Sequence, residues 1–274
     1  MKRLLATLPL LSLMAGAHLS AQEPGQRLVW SDEFNQAVGS SPDPSKWVFA
    51  LGNGGDGWGN HELESYTGSP ANCSVVADPA AGDGHALAIR AIRSGSGYTS
   101  ARLHTQGKFA AEYGFIAARM RLPRGRGIWP AFWMLGNSFP KVEWPSCGEI
   151  DIMENLGNQT HKVYGTIHGP GYSGGKGIQG TYELPGQAGL DEAYHVYAVQ
   201  WRPGRIQWSL DGHVYSTATP ARLPAGKAWV YDNQPFFILL NLAVGGEWPK
   251  NPDGATKFPQ TLYVDYVRVY SPAP

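Results

Sequence analysis

Charge is scarce in this chain. Asp, Glu, Lys and Arg make up only 16% of its 274 residues, and 22 acidic side chains balance 22 basic ones. A nucleic-acid partner needs a basic face, and a chain with no net charge and no Lys/Arg run offers none. A phosphate cradle is missing too: "GNGGDGWG" (52–59) has the glycines of a P-loop but neither its Lys nor its Ser/Thr. No H-E-x-x-H occurs, and the eight His are scattered, which argues against catalytic zinc. There are only two cysteines, Cys73 and Cys147. An exported protein permits them to pair, and two buried small hydrophobes are the other reading; the sequence leaves both open. No segment shows a sustained helical period. Only the N-terminus carries a long apolar run, "MKRLLATLPLLSLMAGAHLSAQE". Its short positive start, apolar centre and small residues read as a secretory signal peptide cut after Ala21, too short for a bilayer span. The expected mature chain, 22–274, is then a single exported domain, secreted or periplasmic, monomeric and free of the membrane.

Aromatics are abundant by contrast. They reach 12%, with ten Trp and thirteen Tyr. Flat side chains with few charges suit a neutral ring-shaped partner such as a sugar. The patterning is of period two. "FIAARMRL" (115–122) alternates between two faces, and "HALAIRAIR" (85–93) and "YVDYVRVY" (263–270) also read as strands. "HVYAVQW" and "IQWSLDG" flank "RPGR", a hairpin signal, and "FFILLNLAV" (236–244) is apolar on both faces, as in a buried strand. Gly and Pro punctuate the chain at short intervals. Many short strands between turns predict an all-β sandwich or barrel of antiparallel sheets.

One stretch stands apart: "CGEIDIMENLG" (147–157) sets Glu149, Asp151 and Glu154 among apolar residues. Buried carboxylates are costly without a partner or a task. Glu149 and Asp151, two apart, share a strand face, while a regular strand would send Glu154 to the other side. One extra residue near Ile152 and Met153, a β-bulge, restores Glu154 to the face of the other two. Two Glu on one face suit a pair that splits acid and base work. A retaining glycosidase brings such a pair to about 5–5.5 Å, and close carboxylates raise at least one pKa. Taken alone, an E-x-D pair is more often the solvent side of a strand.

The signature "GEIDIMENLG" resembles that of family 16 glycoside hydrolases, in the bulged form of laminarinases. "WSDEF" (30–34), "GWGNHELESYT" (57–67), "YTSARLHTQGKF" (98–109), "GIWPAFWML" (127–135), "GTIHG" (165–169), "LLNLAVGGEWP" (239–249) and "VDYVRVY" (264–270) match in the family's order. The resemblance implies a concanavalin A-like jelly-roll sandwich of two curved antiparallel sheets with a groove on the concave face. It implies an endo-acting β-1,3-glucanase with Glu149 as nucleophile, Glu154 as acid/base and Asp151 tuning the nucleophile. Trp129 and Trp133, four apart, share a face if their strand is regular, and the family makes them sugar platforms. Trp144 is the candidate for the sugar at the cleavage point. Asn60 and Arg102 match positions that hydrogen-bond sugar hydroxyls, and His168 is expected near Glu154, beside a Gly-rich loop (169–177) that borders the cleft. A mixed-linkage β-1,3-1,4-glucanase is the alternative enzyme. A glucan-binding lectin is the alternative class, but lectin-like relatives lose the Glu pair that this chain keeps. Many relatives also bind a structural Ca²⁺ on the convex face. Glu33 and Asp265 match the two acids of that site, and the backbone carbonyl falls on His85, one place beyond the usual Gly.

Overall fold

The structure, a computed structural model, describes residues 25–272; the expected signal peptide lies outside them. Among the described residues, seventeen strands form two sheets. The larger sheet runs, in order, His213–Ala218, Arg205–Leu210, His195–Arg202, Gly114–Arg121, Gln260–Tyr270, His85–Ser94, Gly97–Ser100 and Glu64–Tyr66, with Leu28–Asp32 also paired to Gln260–Tyr270 and Cys73–Ala77 to His85–Ser94. The smaller has seven strands: Ile178–Glu183, Lys162–His168, Glu149–Glu154, Ile128–Gly136, Phe236–Val244, Arg102–His104 and Val48–Ala50. The pairing is antiparallel except at one edge, where Glu64–Tyr66 lies parallel to Gly97–Ser100.

The alternation read from the sequence sorts each strand between core and outside. Ile116, Ala118 and Met120 enter the main core, packed between the sheets with Ile150, Ile152, Met153, Trp201 and Trp208. The expected hairpin closes with Arg202 opposite Arg205 and Gly204 at φ 68°, a left-handed value that glycine adopts without strain. Every residue of Phe236–Val244 is buried, as its two-sided apolar pattern predicts. Its inner face joins the main core; on its outer face Phe237 and Leu239 pack with Leu135 and Cys147. Both cysteines are buried and unpaired, so each acts as a small hydrophobe. No helix among the described residues is long and apolar enough to cross a membrane.

Candidate active site

The strand Glu149–Glu154 contains the expected bulge. Against the neighbouring strand, Asp151 pairs with Trp133, Met153 with Phe132 and Glu154 with Ala131, so Ile152 is the extra residue. Ile152 and Met153 therefore both point into the core, and Glu154 returns to the outer face with Glu149 and Asp151. The bulge is braced from the far sheet. The buried Trp208 donates its indole N–H to the Asp151 carbonyl at 2.7 Å. Gly165 leaves the room for this: any Cβ there would collide with the Trp208 ring.

Indoles and one imidazole hold the carboxylates. Trp144 Nε1 donates to Glu149 Oε2 at 2.7 Å, and Trp129 Nε1 donates to Glu154 Oε1 at 3.0 Å. His168 stands directly across the strand pair from Glu149. Its Nε2 lies 3.1 Å from Asp151 Oδ2 and 3.7 Å from Glu149 Oε1. It thus sits against Asp151 and Glu149 and reaches Glu154 only through its charge, because the cross-strand register, unreadable from the sequence, decides its neighbours. Gly177, at the end of the Gly-rich loop, gives the ring its space; a Cβ there would lie 2.6 Å from His168 Cε1.

Burial sets the proton affinities. It pushes the Glu149 carboxyl up to about 8, with the Asp151 charge adding to the rise and His168 and Trp144 opposing it. Burial likewise raises Glu154 to about 7, opposed by His168 and the Trp129 N–H and supported by the Glu149 charge. Asp151 is raised well above the usual carboxylate range by burial and then by Glu154. The cluster therefore keeps protons at neutral pH, as three close acids must.

The other wall is aromatic and polar. Trp129 and Trp133 share the outer face, since their strand stays in unbroken register with Phe236–Val244. Trp129 meets Trp248 edge-on at 5.5 Å. The Arg102 guanidinium is sandwiched between Trp58 and Trp133, 4.4 and 4.8 Å from the ring centroids. Asn60 Nδ2 donates to Glu62 at 3.0 Å, and Trp133 Nε1 donates to Asn241 at 2.8 Å. The sequence reading missed Trp58, Trp248 and Asn241. Asn241 had a signal, being the one polar residue in "FFILLNLAV". Glu247, left out of that reading, is exposed and pairs with His61 at 3.4 Å.

The three residues expected to hold Ca²⁺ do not fit it. Both oxygens of Glu33 are held by Arg268, at 3.0 and 2.8 Å. Asp265 is paired with Arg119, and both its oxygens accept the Gly82 N–H at 3.1 Å. The turn before His85 thus presents a donor to Asp265 where a cation needs a carbonyl, and His85 N itself donates to Asp83. Each acid already has its positive partner. Among the described residues, the one group of acids and histidines with metal-ligand spacing is Glu149, Asp151 and His168.

The chain is 41% identical to a β-glucanase of Rhodothermus marinus over 94% of this chain and 89% of that one. The solved endo-β-1,3-glucanase of Pyrococcus furiosus superposes with a TM-score of 0.80 at 46% identity, covering 90% of this chain and 94% of that one. The laminarinase catalytic domain of Thermotoga maritima gives 0.78 at 47%, covering 90% and 98%. The model of the glycosyl hydrolases family 16 matches residues 67–268, which contain every strand from Cys73–Ala77 to Phe236–Val244 and the whole acid cluster. With its two-sheet jelly roll and its bulged E-x-D-x-x-E strand, this chain belongs to glycosyl hydrolases family 16.

Proposed function

We propose that the chain is an exported, retaining endo-glycosidase that cleaves β-1,3-glucan. One observation carries the mechanism: the bulge returns Glu154 to the face of Glu149, where an indole N–H meets each carboxylate. The β-1,3-glucan names of the similar proteins support the substrate, and the signal-like N-terminus supports export.

The geometry suits two successive displacements. Glu149 attacks the anomeric carbon as Glu154 gives its proton to the departing glycosidic oxygen, leaving an α-linked glycosyl ester on Glu149. Glu154, now a carboxylate, takes a proton from water. The water oxygen attacks the same carbon, and Glu149 leaves, so the sugar keeps its β configuration.

Burial and the neighbouring charges together leave Glu149 with the higher proton affinity of the two Glu, an order opposite to these roles. Part of its rise, however, comes from a charge on Asp151. Asp151 is itself raised well above the usual range by burial and the Glu154 charge, which weakens that repulsion. Trp144 and His168 then favour Glu149 as the anion.

Azide separates the roles. In Glu149→Ala it fills the vacant nucleophile's place and yields an α-glycosyl azide. In Glu154→Ala, given an activated leaving group, it intercepts the ester on Glu149 and yields a β-glycosyl azide. Swapped configurations by NMR exchange the two roles. An α first product from the wild type overturns the retaining mechanism. Side-by-side digestion of laminarin and lichenan tests the linkage: faster turnover of lichenan would reject the β-1,3 assignment.

A further inference from the structure

A buried hydrogen-bonded chain runs behind the sugar-facing wall, and none of its interior members touches the acid cluster. Asn60 Nδ2 donates to Glu62 Oε1 at 3.0 Å. Tyr66 Oη donates to Glu62 Oε2 at 3.2 Å. Asn241 Nδ2 donates to the Tyr66 oxygen at 3.1 Å, and Trp133 Nε1 donates to Asn241 Oδ1 at 2.8 Å. The chain thus joins the two ends that face sugar, Asn60 and Trp133, through three buried side chains. Its polarity is fixed. Glu62 accepts at both oxygens, so each donor to it is committed in direction, and Tyr66, having donated its one proton, must accept from Asn241.

Two further observations point to positioning rather than to core filling. The loop that presents Asn60 holds Asp56, Trp58 and His61 at φ 51°, 57° and 58°, a left-handed region that non-glycine residues avoid. Such a conformation persists only where the surroundings over-determine it. Glu62 is part of that constraint: at Gly57, a Cβ would strike the Glu62 backbone. Second, the carboxyl beside Glu62 is itself anchored, to the backbone of the strand that contains Asn241. Burial, then the Glu62 charge, raises Glu64 well above its ordinary value, and its Oε2 accepts the Val244 N–H at 2.6 Å. Two donors converge on Glu62, one at each carboxyl oxygen.

We propose that Glu62 is a positioning residue of the substrate wall: one oxygen holds Asn60, the other holds Trp133 through Tyr66 and Asn241, and the spacing between a hydrogen-bonding and a stacking group is thereby fixed. This rests on the reading of the wall as a β-1,3-glucan site. Because the chain acts on bound sugar and not on the reacting atoms, its loss falls on KM.

The test uses the full-length enzyme and laminarin. Glu62→Gln puts an amide N–H where one of the two donors must find an acceptor. Tyr66→Phe removes the relay while keeping the ring. Each raises KM about tenfold, the equivalent of one lost hydrogen bond, with kcat and its pH profile kept. A double-mutant cycle is sharper. Asn60→Ala and Trp133→Phe are coupled several-fold in kcat/KM in the wild-type background, and the coupling vanishes in Tyr66→Phe. If Asn60→Ala alone leaves KM unchanged, the sugar wall has been misread and the proposal falls with it. If Asn60→Ala raises KM but both relay variants leave KM and the coupling intact, only the role of Glu62 is overturned. A fall in kcat at constant KM overturns it too. Should Glu62→Gln not fold, Tyr66→Phe and the cycle decide alone.

Discussion

The two outer faces of this sandwich treat buried acids in opposite ways. On the outer side of the larger sheet three carboxylates are matched to arginines: Asp265 to Arg119, Asp78 to Arg121 and Glu33 to Arg268. On the smaller sheet Glu149, Asp151 and Glu154 crowd together with indole N–H groups and a single imidazole. The side chains have the same chemistry; their partners differ. A guanidinium fixes a carboxylate as an anion, useful for holding strands in place. Without one, burial raises the proton affinity until the group can give and take protons near neutrality.

The largest effect should come from removing a member of the unmatched set. Glu149→Gln is expected to lower kcat on laminarin by about 10⁴-fold or more. It should also stabilise the fold. The raised Glu149 keeps a proton in the folded state that the unfolded chain releases, so stability falls as pH climbs from its ordinary 4.5 toward about 8. Removing the group flattens that slope, and the melting temperature of the variant should exceed the wild type's most clearly at pH 8. An inactive variant with no gain there would mean that Glu149 is not strained by burial.

A smaller effect should follow from His168→Gln, which takes away the imidazole beside the cluster. His168 pulls both Glu149 and Glu154 down, so its loss raises both. Both limbs of the kcat/KM profile should move to higher pH, by about one unit. A profile that moves to lower pH, or stays put, would break the contrast between the two faces.

The matched set should respond in reverse. Asp265→Asn leaves Arg119 with its charge and without its partner, and should cost about 2 kcal/mol of stability while kcat/KM on laminarin stays at the wild-type value. The denaturant midpoint measures this. A loss of activity in the folded variant would show that the far face is wired into the chemistry. The smallest effect is expected from excess chelator. With Arg268 and Arg119 supplying the positive charge, the melting temperature should not move. A fall on chelation, restored by Ca²⁺, would show that a cation competes with the arginines.

What could be read from the sequence depended on whether a single strand contained the answer. The bulge was legible because the spacing of Glu149, Asp151 and Glu154 and the apolar identity of Ile152 and Met153 sit in one segment, where facing follows from counting. Trp129 and Trp133 were legible for the same reason. The arginine partners were not. Arg268 reaches Glu33 because Ser31 registers against Arg268 across the first and last strands, and no local pattern states that register. His168 was placed in the site near Glu154, whose proton affinity it lowers, but its direct contacts with Asp151 and Glu149 were set by register, which no local pattern states. Asn241 could have been found: a buried amide in an apolar strand must have partners, and Trp133 and Tyr66 are those partners.

The Trp208 bond to the Asp151 carbonyl sets what can be transplanted from this protein. The short acidic signature is not a portable part. Its aim depends on an indole that arrives from the opposite sheet across the whole depth of the core, and on Gly165 standing aside for it. A graft that moved the signature alone would carry Glu149 and Glu154 but leave the kink that aims them to relax. The unit that travels is the bulged strand, its Gly165 neighbour and the Trp208 strand together, at the separation the core sets between them. Rim loops can be exchanged between such proteins to change what is bound, while a change in core thickness beneath the bulge would detune the chemistry from within.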